Sequence, residues 1–229
     1  MAHTHSLGRN VLSELVYSSM RERILNMDLA PGARLGLDRL AEEYRTSPTP
    51  VREALNRLAA EKLVVFEPFK GFSVQPLLEH KELNDLLDVR VLLENLAVES
   101  TIERSDPELL KTLSNEIAIM WRAGARDALD HTTFNAADAR FHGAIMAYAD
   151  NKSLMDAYGA LNGHLQIARL YKWRGVEDAM VANREHCQIE QAIRSKDREQ
   201  SKRLITIHIN SVRERLSRIF DDRERVKRA

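Results

Sequence analysis

Four residues in the C-terminal half of the chain have the types and spacing of a metal site. Asp138 and His142 are four residues apart, so a helix would place a carboxylate and an imidazole on one face. His186 and His208 flank the polar segment 195–197, where one helix ends and the next begins. At a rise of about 1.5 Å per residue, an antiparallel pair of helices joined there brings the two imidazoles to nearly the same level. The spacing therefore predicts that all four side chains can converge inside a helical bundle.

Three imidazoles and one carboxylate are donors that suit a borderline divalent ion. Zinc is our first choice, and nickel and manganese are also compatible with this set, with positions left for water or a ligand carboxylate. The alternative for Asp138 and His142 is an ion pair on a helix surface. An enzyme that activates water at the metal is a further alternative, but the sequence places no general base, nucleophile elbow or phosphate-binding glycine loop beside it. We therefore predict no enzyme, and a purely structural metal remains an alternative.

The elements that must position these residues are helices. All six prolines lie within the first 107 residues, so no residue of the last 122 removes a backbone donor from a helix. Apolar residues recur at helical spacing throughout residues 82–220, which predicts an all-helical domain of about six or seven helices. Its predicted helices span residues 82–104, 107–123, 132–149, 153–172, 176–194 and 197–220.

The N-terminal part has a different order of elements. Residues 13–75 predict three helices, the first beginning at Ser13 and the third at Ser47, followed by a β-hairpin. This order is typical of a winged helix-turn-helix domain, so the predicted fold class is mainly α, with this domain preceding the helical bundle. We expect residues 1–12 to be disordered, residues 76–81 to form a linker and residues 221–229 to be a charged, frayed tail.

The third helix and the hairpin carry side chains that suit DNA. Ser47 and Thr49 at the helix start can contact phosphates beside the positive end of the helix dipole. Arg52, one turn further, can reach a guanine edge, and Lys70 at the hairpin tip can contact a phosphate. The alternative is that Arg52 and Lys70 are solvated surface charges. The order of the elements favours the interpretation as a DNA-binding domain.

Composition limits the other classes of protein. The formal net charge is zero, so overall charge does not by itself indicate a nucleic-acid partner. A single cysteine, Cys187, excludes an internal disulfide and is typical of a reducing compartment. No apolar run approaches the roughly 20 residues that span a bilayer. We therefore expect a cytoplasmic protein without a membrane partner.

The N-terminal motifs resemble those of GntR-type bacterial transcription regulators. The similar segments are Leu-Ala-Pro-Gly at 29–32, Thr-Pro-Val-Arg-Glu-Ala-Leu at 49–55 and Gly-Phe-Ser-Val at 71–74. Pro48 stands where family members usually carry an arginine, and Arg45 just upstream is a candidate substitute. The resemblance implies a double-stranded, pseudo-palindromic DNA operator and adds further contact residues to those above, namely Arg34, Arg45, Arg57 and Gly71.

The helical part contains, in this order, Arg90-x-x-x-Glu94, Asp138-x-x-x-His142, Asn151-x-x-Leu154, Glu185-His186, Ala192-Ile193 and His208. This order is similar to that of the FCD domain, the ligand-sensing bundle of the FadR-like branch of this family. The resemblance implies that a divalent metal and a small carboxylic acid effector bind there, and that the chain is a homodimer and more often a repressor than an activator. It assigns Arg90 to the acid, whereas an ion pair with Glu94, four residues on, is the alternative for Arg90. It assigns the metal to Asp138, His142, His186 and His208.

Overall fold

The computed structural model of the chain describes residues 2–104, 106–125, 128–161 and 176–228. Within these ranges it contains nine helices and three short strands. The chain divides into two compact units, residues 1–77 and 78–229, and the predicted linker 76–81 spans this division. No helix of the described ranges is long and apolar enough to cross a bilayer. The expected mainly α fold, with a winged helix-turn-helix domain before a helical bundle, is confirmed.

The first unit contains three helices and a three-stranded antiparallel sheet. The helices are α1 (Ala2–Leu25), α2 (Leu37–Glu43) and α3 (Pro48–Ala60). The strands are β1 (Arg34–Leu35), β2 (Val64–Glu67) and β3 (Gly71–Val74), in the spatial order β1-β3-β2. The hairpin of β2 and β3 agrees with the prediction. The sequence did not predict β1, because two residues are too short to show an alternating pattern.

The core of this unit forms where α1 packs against α3. The helix α3 begins at the N-cap Ser47, and its two prolines lie in the first turn, where backbone donors have no helical partner. The buried side chains follow the helical period on α3 and alternate along β3. They include Val16, Met20, Ile24, Val51, Leu55, Leu58, Leu63, Val64, Phe72 and Val74.

The helix bounds differ from the expectations at both ends of the chain. The first helix begins at Ala2 and not at Ser13, so residues 2–12 are helical where disorder was expected. The last helix continues to Arg228, through residues that were predicted to form a frayed tail. Both segments lack proline and extend a helix that is already nucleated, which adds one hydrogen bond for each residue fixed.

The second unit contains six helices in its described residues. They are α4 (His80–Arg104), α5 (Pro107–Gly124), α6 (His131–Tyr148), α7 (Lys152–Leu161), α8 (Val176–Arg194) and α9 (Arg198–Arg228). The second half of the predicted helix 153–172 lies outside the described residues. Helix α4 packs on α6 and α9, and α5 packs on α6 and α8. The bundle interior lies between these helices and is lined by Leu83, Leu87, Leu113, Met120, Phe141, Ile145, Ile189, Ile205 and Ile209.

Local signals end and start the helices that carry the candidate site. Lys196 adopts a positive φ of 58° between α8 and α9, which terminates α8. The side chain of Asp197 then accepts a hydrogen bond from the backbone N–H of Gln200 (2.9 Å) at the start of α9. Asp130 caps α6 in the same way, accepting from the N–H of Thr133 (3.0 Å). The predicted antiparallel pair α8 and α9 is therefore present, and it sets the levels of His186 and His208.

Candidate metal centre and nucleic-acid interface

Three helices bring the four predicted metal ligands together in the bundle interior. Asp138 and His142 lie on α6, and His186 and His208 lie on α8 and α9. Each residue offers one ligand atom, and these atoms all lie within 4.8 Å of one another. The three histidines are buried, whereas the side chain of Asp138 is 21% exposed. The convergence expected from the spacing is thus present in the structure.

The distances show how closely the donor atoms approach. His186 Nε2 lies 3.3 Å from Asp138 Oδ1 and 3.3 Å from His142 Nε2. His142 Nε2 lies 3.9 Å from Asp138 Oδ1. Because His142 is buried, the alternative of a solvent-exposed ion pair on the surface of α6 does not describe this contact.

Two glutamates that the sequence did not indicate as part of the site hold the histidine rings. His142 Nδ1 donates to Glu94 Oε2 (2.7 Å), and His208 Nδ1 donates to Glu185 Oε2 (2.8 Å). An ionised carboxylate can only accept, so each Nδ1 carries the proton and each Nε2 presents a lone pair. Carboxylate–histidine pairs of this kind orient metal-binding imidazoles and raise their basicity.

The protonation of these groups follows from their surroundings. Burial lowers the pKa of His142 to about 3, although the charge of Glu94 opposes this shift. Burial lowers the pKa of His208 to about 4, with a further contribution from the neighbouring His186. The carboxyl of Glu94 is also buried, but the Arg90 guanidinium and His142 hold its pKa well below its usual range. At neutral pH His142 and His208 are therefore neutral imidazoles, and Glu94 beside His142 is an ionised carboxylate.

The pKa of Glu185 is lowered in the same way as that of Glu94. Burial would raise it, but hydrogen bonds from His208 and Arg215 outweigh this cost and bring the pKa to about 2. Arg215 donates to both carboxylate oxygens of Glu185, at 2.9 and 3.0 Å. This bidentate contact fixes the carboxylate that orients His208.

These donors fit a divalent cation. The Nε2 atoms of His142 and His186 are 3.3 Å apart, and Asp138 Oδ1 lies as close to His186. For His142, Nε2 is a lone-pair acceptor, and the oxygen of Asp138 is an acceptor as well. Two acceptor atoms this close repel each other through their lone pairs, and a cation bound between them would remove that repulsion. Imidazole nitrogen and carboxylate oxygen are ligands that suit zinc, nickel or manganese. The residues can thus hold a metal, and their types alone do not select which one.

Arg90 forms the ion pair with Glu94 that the sequence offered as the alternative to binding an acid. Its Nε donates to Glu94 Oε1 at 2.5 Å, and both side chains are almost fully buried. Tyr158 also donates to Glu94 Oε1 (3.1 Å), so this carboxylate connects Arg90, Tyr158 and His142. Arg90 Nη2 is buried and has no hydrogen-bond partner among the described residues. The guanidinium is therefore held by an ion pair and retains one unused donor.

The predicted DNA contacts occupy exposed positions of the first unit. Thr49 and Arg52 lie on the exposed side of α3, opposite its buried residues. Asn56 shares that exposed side at the position four residues after Arg52, although the sequence analysis did not indicate it. Ser47 is exposed at the N-cap of α3, where backbone donors face away from the helix. One surface of α3 thus carries hydroxyl, guanidinium and amide groups.

The remaining predicted contacts lie at turns and at the sheet. Arg34 is exposed on β1, and Arg45 is exposed after α2 with a φ of 49°. Lys70 is exposed in the hairpin turn, where its Nζ forms an ion pair with Glu67 Oε2 (2.6 Å). Gly71 has a φ of 80°, in the left-handed region that favours glycine.

Arg57 has structural partners on α1. Its Nη1 donates to Glu14 Oε2 (2.6 Å), and its guanidinium carbon lies 3.8 Å from the centre of the Tyr17 ring. The guanidinium of Arg57 therefore pairs with a carboxylate and an aromatic ring of α1 and joins α3 to α1. For this reason we leave Arg57 out of the proposed DNA surface.

Comparisons with known proteins agree with both units. The FCD domain family matches residues 85–211, and the gntR family of bacterial regulatory proteins matches residues 12–74. YdhC of Bacillus subtilis, an uncharacterised HTH-type transcriptional regulator, is 26% identical over 206 residues, which cover 90% of this chain and 91% of YdhC. The gluconate operon transcriptional repressor of Bacillus subtilis is 28% identical over 189 residues, covering 78% of this chain and 74% of the repressor.

The fold also matches a solved structure. E. coli McbR/YncC is 23% identical, with a TM-score of 0.75, and the match covers 91% of this chain and 98% of that chain. The two family matches together account for the winged unit and for the helical unit. The chain is a DNA-binding transcription regulator of the GntR family, with a C-terminal FCD domain.

Proposed function

We propose that this regulator is a homodimeric repressor whose DNA affinity depends on a divalent metal and a small carboxylic acid. The observation that carries the proposal is the buried group of four ligand atoms within 4.8 Å of one another in the FCD unit. DNA binding and small-molecule sensing follow from family membership. The metal, the class of effector and the homodimer are our inferences.

The exposed side of α3 would read the operator. Arg52 can donate two hydrogen bonds to a guanine, and Asn56 can pair with an adenine in the major groove. Ser47 and Thr49 lie at the helix N-terminus, which favours contact with a phosphate. Arg34, Arg45 and Lys70 are exposed cations that can neutralise further phosphates. Gly71 would allow close approach of the hairpin backbone to DNA.

The metal would be held by Asp138, His142, His186 and His208. Zinc is the first candidate for these ligands, and nickel and manganese are compatible with them. Glu94 and Glu185 would keep the rings of His142 and His208 in the binding orientation. A bound divalent ion supplies a Lewis-acidic position for a carboxylate oxygen of the effector.

Arg90 would bind the same acid through its unused donor. Its Nη2 is buried and has no hydrogen-bond partner in the part of the chain that the structure describes, and an effector carboxylate can satisfy it with a charge-assisted hydrogen bond. The ion pair to Glu94 holds the guanidinium in place before the acid arrives, which lowers the entropic cost of binding. Because Glu94 also contacts His142, the acid site and the metal site share one carboxylate.

A second copy of the chain would pack on an exposed apolar stripe of α4. Val89, Leu92 and Leu96 occupy one face of this helix and are 42%, 70% and 48% exposed. A two-fold axis would pair this stripe with itself, as an isologous interface requires. Two copies of α3 would then read the two halves of a pseudo-palindromic operator.

The assignment as a repressor has support from relatives. One similar protein is the gluconate operon transcriptional repressor of Bacillus subtilis. The alternatives are a metal-dependent enzyme and a regulator with a purely structural metal. A structural ion would stabilise the fold whether or not an acid is present, so chelation followed by thermal melting separates this case.

The decisive experiment is fluorescence anisotropy of the zinc-loaded protein on labelled DNA from its own promoter at a fixed salt concentration. A panel of small carboxylic acids is added, and the titration is repeated with chelated protein and with Arg52→Ala. We expect specific binding that requires Arg52 and that weakens with one acid only when zinc is present. An acid that binds the protein but leaves DNA affinity unchanged would contradict the sensing mechanism.

A further inference from the structure

The tip of the β2–β3 hairpin carries an aromatic side chain that contacts solvent alone. Phe69 lies in the turn between Glu67 and Gly71, and its side chain is fully exposed. Its backbone has a φ of 66°, in the left-handed region. A bulky residue rarely adopts this conformation, because its Cβ crowds the backbone.

Two unfavourable features therefore occur at one residue. Glycine would adopt this φ without strain, as Gly71 does at 80° in the same turn. A polar residue would be better solvated than a phenylalanine at a hairpin tip. Strained backbone and exposed aromatic surface persist where a partner uses them, so Phe69 is a candidate contact residue.

The hairpin holds Phe69 in a defined direction. The ring of Phe66 packs on the ring of Phe72 with centroids 4.9 Å apart, and these two residues are directly paired across the strands. The pair Glu67 and Gly71 closes the ladder next to the turn. Strand β1 supports β3 on its other edge. Phe69 thus projects from a three-stranded sheet and not from a long loop.

The chemistry next to Phe69 matches DNA. Lys70 follows it in the chain, and its ammonium is exposed in an ion pair with Glu67. A phosphate can replace that carboxylate as the partner of Lys70, which would place Phe69 beside the sugar–phosphate backbone. Proteins that bind the minor groove frequently insert an apolar side chain such as phenylalanine between two base pairs, which partly unstacks that step.

We propose that Phe69 is an apolar wedge that enters the minor groove of the operator and kinks one base step beside the sequence read by α3. The inference rests on the DNA-binding function of the family and adds a means of recognition to it. Pyrimidine–purine steps unstack most easily, so the wedge would favour operators with such a step under the hairpin. This preference would arise without a hydrogen bond from Phe69 to a base.

The test compares three variants on one operator. Duplexes are selected from random-sequence DNA with the wild-type protein, and the winning operator is labelled at its ends for energy transfer and substituted with 2-aminopurine at the steps flanking the α3 site. The variants are Phe69→Gly, which removes the wedge and the backbone strain, Phe69→Leu, which keeps an apolar wedge, and Lys70→Ala, which removes only the charge. The melting temperature of each variant is measured in parallel.

We expect Phe69→Gly to melt at the same or a higher temperature and to bind the operator about tenfold more weakly. In the complex with Phe69→Gly, the energy transfer between the two DNA ends should no longer report a bend. The 2-aminopurine fluorescence should no longer report unstacking of a base step. Phe69→Leu should keep most of both signals. Lys70→Ala should keep the 2-aminopurine signal while the salt dependence of binding decreases by about one counterion.

The outcomes separate this inference from the proposed function. If Phe69→Gly binds with wild-type affinity and gives the wild-type DNA bend and fluorescence, Phe69 is no wedge and the inference is overturned. DNA binding that needs Arg52 would survive that result. If the wild-type protein selects no DNA at all, the DNA-binding function and the wedge are both overturned.

Discussion

Glu94 on α4 holds the imidazole of His142 on α6, with Oε2 and Nδ1 2.7 Å apart across 48 residues of sequence. The other oxygen of the same carboxylate accepts from Arg90 (2.5 Å) and from Tyr158 (3.1 Å). Every one of these side chains is buried. One carboxylate therefore links the candidate metal centre to the candidate effector site.

The exchange Glu94→Gln should weaken zinc binding by about 10- to 100-fold, because the neutral amide keeps only one acceptor oxygen for the contacts that two carboxylate oxygens now make to His142 and to Arg90. The variant should also lose about 3–5 kcal/mol of stability, because Arg90 is left as a buried charge without its carboxylate. Competition with a chromophoric chelator measures the zinc affinity. Glu99→Gln is the matched control, since Glu99 lies on the same helix and pairs with exposed Arg198. An unchanged zinc affinity in Glu94→Gln would show that Glu94 does not position a ligand.

The exchange His186→Ala should remove most of the bound metal, because His186 Nε2 lies within 3.3 Å of two other candidate ligand atoms. Metal content after dialysis, measured by elemental analysis, gives the stoichiometry. His80→Ala is the control, since His80 Nε2 contacts Ser217 and is not a candidate ligand. Wild-type metal content and acid response in His186→Ala would refute the assignment of this ligand.

The stability of the metal-free protein should fall as the pH falls from about 6.5 towards 4. The folded-state pKa values of His142 and His208 are about 3 and about 4, below the ordinary value near 6.5. In this window the unfolded chain binds protons that the folded chain does not, so acid favours unfolding. Each group contributes a slope of about 1.4 kcal/mol per pH unit.

Thermal unfolding in the presence of a chelator at several pH values measures this slope. Glu185 affects stability at lower pH, because the pKa of its carboxyl is about 2 in the folded chain and about 4.3 in the unfolded chain. Its contribution to the free energy of unfolding is present above about pH 4.3 and is lost as the pH falls towards 2. His208→Asn should reduce the slope between pH 6.5 and 4 by about one proton. A melting temperature that stays constant down to pH 4.5 would contradict the assignment of neutral buried imidazoles.

Two arginines of α3 should give opposite results when each is changed to alanine. Arg52→Ala should weaken operator binding by about 1–3 kcal/mol and leave the melting temperature unchanged, because Arg52 is exposed. Arg57→Ala should lower stability by about 0.5–1 kcal/mol through loss of the contact with the Tyr17 ring, and keep operator specificity. Anisotropy on specific and scrambled DNA, with melting curves, distinguishes the two. A loss of sequence preference in Arg57→Ala would return this residue to the DNA surface.

The exchange Leu92→Glu should weaken self-association at least tenfold, because it places a charge in the middle of the apolar stripe of α4. Analytical ultracentrifugation over a concentration series measures the dissociation constant. Ile207→Glu is a suitable comparison, since Ile207 is an exposed apolar residue of α9 outside the stripe. If both variants associate as the wild type does, the homodimer uses another surface.

Local features of the sequence determined most of the architecture. The proline-free C-terminal half, the prolines in the first turn of α3 and the alternating hairpin residues all act through contacts between near neighbours. The same is true of Asp138 and His142, which one helical turn brings together. The convergence of His186 and His208 was predictable because α8 and α9 are an antiparallel pair with a short connection, so residue counting sets the levels of the two imidazoles.

The tertiary structure decided which partners these side chains have. Glu94 and Glu185 hold two of the candidate metal ligands, and Arg57 pairs with α1. Arg90 forms an ion pair, while its Nη2 has no partner among the described residues. The short strand β1 exists only because β3 lies beside it. These partners depend on which faces of distant helices and strands pack together and on how deeply that packing buries each side chain. No periodic pattern or residue spacing in the sequence reports either property. The residue types of the site could thus be read along the chain, whereas their protonation and orientation came from packing between helices.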